Sequence, residues 1–412
     1  MNNKLKELFE AKENIMLSGA AGCGKSYQVR KIIENYGKEK VIALTSTTGI
    51  AATNINGQTI HSFLNLGMIK SDDHQKELAR IVYNPYAQWE HVKKAEVLII
   101  DEISMCDGFL FDLMEEVLRN VRNTIEPFGG LQVILVGDCF QLPPVEANAK
   151  GFFFESAAYA FGNFKPVVLK KVYRQNDKKF IDCLNRIRIA EHTKEDIEYL
   201  QQRQFPAMNY ALLDTTCLYP TNNEADILNQ YRLNNIDKEE LTFKAKDKHY
   251  TPPNLTGIRK DYNKFMRAPE FLKLKEGARV LLLQNLSVER GLCNGSVGTF
   301  KRKDGDLLIC EFNGQEEYIK KATFEVHEKS KLVFEREQYP LALGWAVSIH
   351  KSQGMSLDSV AINFDKIFAP HQAYVALSRA RTYDGLYLKN LTENKIFIDS
   401  KVVKFMESLE GA

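Results

Sequence analysis

IMLSGAAGCGKSYQVRKIIENY, residues 15 to 36, is the stretch on which the reading of the whole chain depends. A short apolar run, Ile15 to Ser18, enters Gly19-Ala20-Ala21-Gly22-Cys23-Gly24-Lys25-Ser26, which satisfies G-x-x-x-x-G-K-[ST], and an amphipathic run follows at once. Strand, glycine-rich turn and helix N-terminus together aim backbone N–H groups at one point and form an anion nest. Lys25 is then placed to reach the β- and γ-phosphates of a nucleotide, and Ser26 to offer its hydroxyl to Mg²⁺. Chance supplies such a pattern in a chain of this length on the order of once in a hundred, so an ordinary glycine turn is the weaker reading.

Outward from this turn the same rhythm recurs. VIALT at 41 to 45, VLIID at 97 to 101 and LQVILVG at 131 to 137 are short β-rich runs, each followed by a turn signal or a helical pattern. That alternation predicts an α/β fold, a parallel sheet with helices on both faces. Asp101 and Glu102 end the VLIID run and so fall at the carboxyl edge of the sheet, where open α/β folds bind ligands. Asp101 suits the Mg²⁺ shell, and Glu102 suits orienting or deprotonating an attacking water. The plain alternative is a solvated acidic turn, which Lys25 upstream makes the poorer choice. A third strand end, GDCFQLPP at 137 to 144, offers Gln141 as an amide that could sense a γ-phosphate, with two prolines stiffening its loop.

Residues 65 to 95, with Pro85, Tyr86 and Trp89, break the rhythm and read as a small insertion. A second α/β pattern begins near Val167, includes TTCLYPTNN at 215 to 223, and resumes with LALGWAVSIH at 341 to 350, VAINF at 360 to 364 and LYLKN at 386 to 390. Between its halves, residues 226 to 334 carry ARVLLLQN, NGSVGTF and DGDLLICEFNGQEEYI, strand-like runs parted by glycine turns in the manner of a small antiparallel barrel. The expected division is 1–64 with 96–166, the insertion 65–95, then 167–225 with 335–412, interrupted by 226–334.

Composition bounds the rest. A chain of 412 residues suits two or three domains, and 44% hydrophobic with 26% charged residues is a globular balance. A net charge of +2 announces no nucleic-acid partner, so any such site must be a local groove. The seven cysteines contain no C-x-x-C pair, which argues against zinc and disulfides and fits a reducing cytosol. Neither a signal peptide nor an apolar run of membrane-spanning length is visible, so no membrane association is expected.

Taken in order, TSTTGIAATNINGQTIHSF (45–63), LIIDEISM (98–105), PFGGLQVILVGDCFQLPPV (127–145), VYRQND (172–177), WAVSIHKSQGMSLD (345–358) and AYVALSRAR (373–381) resemble the motifs of the petite-integration-frequency (Pif) helicases of superfamily 1B. FDLMEEVLRNVRNTIEPFGG at 111 to 130 is similar to that family's signature segment. The resemblance implies two RecA-like domains with ATP in the cleft, a wedge insertion in the first, an SH3-like insertion in the second, and 5′-to-3′ movement on DNA. It implies that Arg174 and Arg379 act as arginine fingers and that Gly354 belongs to the nucleotide site with the phosphate loop. It also implies that Thr47, His61, Ser62, Phe63, Thr221, Asn222, Ser348, His350 and Lys351 contact single-stranded DNA, with forked or structured duplex as substrate and a monomer at work in the cytoplasm or nucleoid.

Hydroxyl and amide donors suit phosphate oxygens without reading sequence, and Phe63 offers a stacking face. Phe63 as core and His61 as a buried structural histidine are the alternatives. Arg279, Arg290, Lys301, Arg302 and Lys303 in the insertion read better as a solvated face than as a DNA contact. The chain departs from the family in lacking the adenine-reading glutamine upstream, where only Met1, Asn2 and Asn3 fall, and in Cys23 where threonine is usual. No regulatory region is expected ahead of the motor. A protein-remodelling ATPase and a DNA-binding module with a relic nucleotide site are the rival readings, and a nuclease finds no carboxylate cluster of its own.

Overall fold

The computed structural model describes residues 1–55, 57–67, 69, 73–85, 87–144, 151–175, 177–205, 215–250, 262–263, 266–287, 289–328 and 331–410. Tyr86, Val145, Asn176 and the stretch 251–261, which fall within the segments named above, lie outside the described residues.

The amino-terminal part builds a parallel sheet from β1 (Ile15–Gly19), β2 (Ile42–Ser46), β3 (Gln58–Thr59), β4 (Val97–Asp101), β5 (Gln132–Gly137) and β6 (Lys165–Leu169). Their spatial order is β3-β2-β4-β5-β1-β6, with every pairing parallel. β1, β4 and β5 are buried along their whole length, as parallel strands covered on both faces must be. The two-residue alternation of strands sorts their side chains. Ile15 and Leu17 join Val29 and Ile32 of α2 (Lys25–Tyr36) and Leu5 and Phe9 of α1 (Asn3–Glu10) in one core. Met16, Leu98, Ile100 and Leu135 face a second core with Phe111, Phe128 and Phe153.

Helix Gly108–Arg122 covers that second face, capped by Asp107, whose carboxylate accepts the N–H of Leu110 at 2.7 Å. The region 65–95 contributes helices His74–Val82 and Glu90–Lys94, which lean on this helix. Arg122 ties the second of them down through the carbonyls of Val92, Lys93 and Ala95 at 2.8 to 3.0 Å.

A second parallel sheet holds Ala346–Ser348, Thr216–Tyr219, Val360–Asn363 and Leu386–Lys389 in that spatial order. Between its first two strands in sequence lie antiparallel elements. A five-stranded sheet runs Gln315–Ile319, Leu307–Phe312, Val297–Asp304, Arg279–Leu282, Leu341–Leu343, beside a three-stranded and a two-stranded sheet. Its interior is aliphatic and aromatic, with Val280, Phe300, Leu308, Phe312 and Tyr339 buried.

The expected boundaries cut through elements. Residue 167 falls inside β6, which pairs with β1 and therefore closes the first sheet. Residue 226 falls inside helix Asn222–Asn234, and 334 inside strand Lys331–Gln338, while Leu341–Leu343 still pairs with Arg279–Leu282. The last helix, Ser400–Glu410, leaves the second sheet altogether. It packs Val402, Met406 and Leu409 into the core of the first, and Phe405 stacks on Phe154 with centroids 4.1 Å apart. Composition does not mark such a crossing, because an amphipathic helix reads the same whichever sheet it covers. No helix among the described residues is long and apolar enough to cross a membrane.

Candidate active site

Strand order decides which groups meet. With β5 lying between β4 and β1, the acids after β4, Asp138 after β5 and the glycine-rich turn after β1 are neighbours on one edge of the sheet. The turn passes from Gly19 through Gly24 into α2, whose first residues are Lys25 and Ser26. The Lys25 ammonium donates to the carbonyls of Gly19 at 2.7 Å and Ala20 at 3.1 Å. Cys23 is buried, its sulfur resting where a side chain on Gly19 would otherwise reach, so the departure from threonine fills space under the turn. At the chain start, Asn2 caps α1 and its N–H donates to Gln28 of α2 at 2.9 Å.

Asp101 is buried, and burial together with the neighbouring Glu102 charge pushes its carboxyl up to about 7, while Lys25 acts against the rise. Glu102 is likewise pushed up by burial, opposed by Lys25, Arg379 and Arg174. Glu102 adopts a left-handed backbone at φ 53°, unusual for a side-chain-bearing residue, and its Oε2 is buried without a hydrogen-bond partner. Thr47 fixes this turn: its hydroxyl donates to the Glu102 carbonyl at 2.8 Å and its N–H to the Asp101 carbonyl at 3.3 Å. Thr47 therefore joins the acid turn to the cleft described below.

The second part of the chain closes over this edge. The Tyr173 N–H donates to the Gly22 carbonyl at 2.8 Å, and a Cβ on Gly22 would meet the Arg174 Cβ at 2.5 Å. Gly22, at φ 77°, thus answers both to its turn and to the closeness of that segment. Arg174 donates to the Ser378 carbonyl at 3.2 Å, and the fully buried Arg379 donates to the Val375, Ser352 and Met355 carbonyls at 2.9 to 3.4 Å. Backbone carbonyls and, for Arg379, the Ser378 hydroxyl at 2.8 Å hold these guanidinium groups, rather than carboxylates. Burial and the nearby Arg174 lower Arg379 to about 9, and burial also lowers Arg174. The positive charge of both arginines is thus felt at Glu102, where it opposes the rise that burial causes. Gln141 is buried and accepts from the Gln353 amide at 3.4 Å, so the loop after β5 touches the segment preceding Gly354, which lies at φ 78°. The exposed Tyr173 ring sits over Gly24, with the Lys171 ammonium 5.1 Å from its centroid.

A cleft of about 1140 Å³ runs between the two parallel sheets and the antiparallel region. Thr47, His61, Ser62, Asn222, Ser348 and Lys351 line it, and the Ser348 hydroxyl donates to the Asn222 amide oxygen at 2.7 Å. Three other expected contacts are not among the residues lining it. Phe63 belongs to the core, its ring against His91 at 5.3 Å, so it offers no stacking face. Thr221 spends its hydroxyl capping helix Asn222–Asn234, and His350 is half-buried, with burial lowering its pKa. Sequence reasoning did not single out Arg267, Lys273 and Gln230, which join the cleft wall from the antiparallel region and the helix before it. Their motif-free surroundings gave no signal. In the insertion, Arg290 pairs with Glu317 at 2.9 Å and Arg302 with Glu316 at 2.8 Å, in keeping with a solvated, internally neutralised face.

Comparison with known proteins agrees with this geometry. The PIF1-like helicase family model matches residues 5–197, and that of the DNA helicase Pif1 2B domain matches residues 264–301. The chain is 36% identical over 409 residues to the human ATP-dependent DNA helicase PIF1, covering 96% of this chain and 61% of that protein. It is 31% identical to ATP-dependent DNA helicase Pif1 of Bdellovibrio bacteriovorus, covering 98% of this chain and 90% of that one. It spans about three-fifths of the length of several of the curated relatives it matches. Among solved structures, Candida albicans Pif1 helicase superposes with a TM-score of 0.80 at 30% identity, covering 99% of both chains. Bacteroides Pif1 in complex with ADP-AlF4 gives 0.83 at 28% identity, covering 99% of this chain and 96% of that one. Sheet order, motif placement and these likenesses meet in one statement: the chain belongs to the PIF1-like helicase family.

Proposed function

We propose that the chain is an ATP-dependent motor that moves 5′ to 3′ along single-stranded DNA and separates duplex ahead of it. The observation that carries this reading is the closeness of the Tyr173–Arg174 segment to the glycine-rich turn at Gly22, with Arg379 joined to Arg174 through Ser378. A phosphoryl-transfer site needs positive charge from both sides of the equatorial oxygens, and such arginines typically accelerate the reaction by roughly 10³ to 10⁵.

In this reading Lys25 binds the β- and γ-phosphates, and the turn's N–H groups cradle them. Glu102 orients the attacking water and accepts its proton, a task its raised pKa suits. Gln141, linked to Gln353, reports the state of the γ-phosphate to the opposite wall. The exposed Tyr173 ring beside the turn is an apolar face against which a base can rest. The oxygen-only donor set of Ser26 and Asp101, with the unpartnered Glu102 Oε2 beside it, fits Mg²⁺. Bound there, the ion would neutralise charge on the phosphates.

We further propose that the cleft lined by Thr47, His61, Ser62, Asn222, Ser348 and Lys351 is the path of the strand, the first three on the amino-terminal wall and the others opposite. Alternate closing and opening of the walls moves these contacts relative to each other, and each base-pair step ahead takes roughly 1.4 kcal/mol to separate. In domain terms, the first RecA-like unit runs to Leu169 and recruits the last helix, and the second carries the antiparallel insertion up to Leu343. A relative 29% identical is described as two coordinating Pif1 helicases on forked duplex, whereas a single copy suffices for the cleft proposed here.

The test is ATP hydrolysis with and without single-stranded DNA, joined to unwinding of a duplex with either a 5′ or a 3′ tail. DNA-stimulated hydrolysis and unwinding of the 5′-tailed substrate are expected. Hydrolysis indifferent to DNA would point to a protein remodeller, and preference for the 3′ tail would reverse the polarity.

A further inference from the structure

The site contains a buried hydrogen-bonded chain that the mechanism above does not use. The N–H of Ala21, third residue of the phosphate-binding turn, donates to the Tyr374 hydroxyl at 2.9 Å. That hydroxyl donates in turn to Asp138 Oδ2 at 3.4 Å. Asp138 is fully buried and also accepts from Arg188 through Nη2 at 2.8 Å and Nε at 3.1 and 3.2 Å, and from the Phe140 N–H at 3.1 Å. Burial works to raise Asp138, but Arg188 and Lys25 outweigh it and hold the carboxyl below its ordinary value. The Arg188 guanidinium lies over the Phe140 ring at 4.6 Å, which leaves the charge pair enclosed.

What the chain connects gives it meaning. Ala21 and Asp138 belong to the first parallel sheet's edge, whereas Tyr374 sits in helix Gln372–Leu377 of the opposite wall. Arg379 follows that helix directly, and its guanidinium folds back on the same turn, donating from Nε to the Val375 carbonyl at 2.9 Å. A shift of this turn therefore displaces the arginine as a unit. One phenol hydroxyl thus pins the Arg379 turn to the phosphate loop and, through Asp138, to the loop that carries Gln141.

Resting on the ATPase reading above, we propose that Tyr374 is a positioning residue for hydrolysis, with its hydroxyl, Asp138 and Arg188 acting as one unit that sets Arg379 against the nucleotide. Displacement of a catalytic group by about 1 Å can lower a rate by roughly 10²-fold. Loss of this hydroxyl also orphans a buried N–H and leaves a buried carboxylate one donor short.

The experiment uses the full chain with saturating single-stranded DNA. Tyr374→Phe keeps the ring in place and is expected to lower kcat for ATP by about 10-fold or more with KM within about 2-fold, the split for an interaction needed at the transition state rather than in binding. Asp138→Asn is expected to give a similar loss, and the double variant to be no slower than the slower single one, because coupled residues are not additive. Should Tyr374→Phe melt below the assay temperature, Asp138→Asn alone carries the test. Wild-type kcat in a folded Tyr374→Phe, a loss confined to KM, or losses that multiply in the double variant would each overturn the proposal while leaving the ATPase reading intact. A wild-type chain without DNA-stimulated hydrolysis would instead remove that reading, and this one with it.

Discussion

In the proposed reaction, Glu102 concentrates the tension between stability and activity at a single residue. Its left-handed backbone, its raised pKa and its unpartnered Oε2 are all unfavourable for folding, and each leaves the carboxylate available for work. Glu102→Gln removes the charge that burial opposes and keeps the shape. It should raise the melting temperature by roughly 2 °C while binding ATP and stalling hydrolysis; a calorimetric scan and a turnover assay on one preparation check both halves. Brisk hydrolysis by this variant would give the base to another group. Lys25→Ala should abolish turnover, since the turn holds no other point charge. Arg174→Ala should retain nucleotide in equilibrium binding yet lose about 10³-fold in kcat. Equal turnover in that variant and the wild type would remove Arg174 from the site.

Among the elements, the turn Pro127–Gly130 beyond helix Gly108–Arg122 shows why a signature can be a matter of backbone. Phe128, Gly129 and Gly130 all take positive φ in succession, at 52°, 67° and 73°. A Cβ on Gly129 would fall 2.7 Å from the Leu118 carbonyl, and the Phe128 N–H is received by the buried Glu115 at 3.2 Å. Gly129→Ala should therefore destabilise the protein by more than about 1 kcal/mol, read as a lowered melting temperature; an unchanged value would mean the turn relaxes freely.

Helix Gln372–Leu377 begins at His371, also left-handed at φ 67°, whose Nε2 accepts the Asp399 N–H at 3.3 Å. Burial lowers His371 to about 4, with Asp138 and Asp399 opposing. The unfolded chain takes up this proton near 6.5 and the folded one only near 4, so the stabilising effect is whole above 6.5 and is lost as pH falls through that window. The loss amounts to at most about 3 kcal/mol. His371→Asn, which tolerates the left-handed backbone, should flatten the fall in melting temperature between pH 6.5 and pH 4. A slope identical to wild type would mean other groups control acid sensitivity.

For the whole molecule, the proposed motor rests on the arrangement of two walls around one cleft. Lys351 stands exposed on the cleft wall, and on the proposed strand path it would supply a phosphate with charge and no sequence preference. Lys351→Ala should weaken single-stranded DNA binding evenly across sequences and reduce the salt dependence of log K by about one counterion; an unaltered salt slope would take Lys351 off the path. The last helix, Ser400–Glu410, straps the second part of the chain to the first. Ending the chain after Asp399 uncovers Phe154 and the core around Met406 and Leu409, and should lower the melting temperature and raise binding of an apolar dye. No change in either would mean the strap is idle.

How much of this was legible beforehand follows from the range of the forces involved. The parallel strands, the phosphate turn, the acid pair and the order of motifs were readable from residues 15 to 36 outward, because hydrophobic period and turn chemistry act over a few neighbours. The cleft contacts were only half legible. A serine or threonine on a donor-rich turn looks the same whether it faces a groove, as Ser348 does, or caps a helix, as Thr221 does. An aromatic residue gives no sign of whether its ring is covered, as that of Phe63 is.

The amino-acid sequence by itself determined that a glycine-rich turn of phosphate-binding pattern sits at a sheet edge and that two parallel-sheet units follow one another. Only the tertiary structure decided that Tyr374 meets Ala21 across 353 positions, that Arg188 closes on Asp138, and that the final helix returns to the first sheet. Those pairings depend on burial at a junction of elements distant in sequence, where packing and desolvation choose partners that no local pattern can encode.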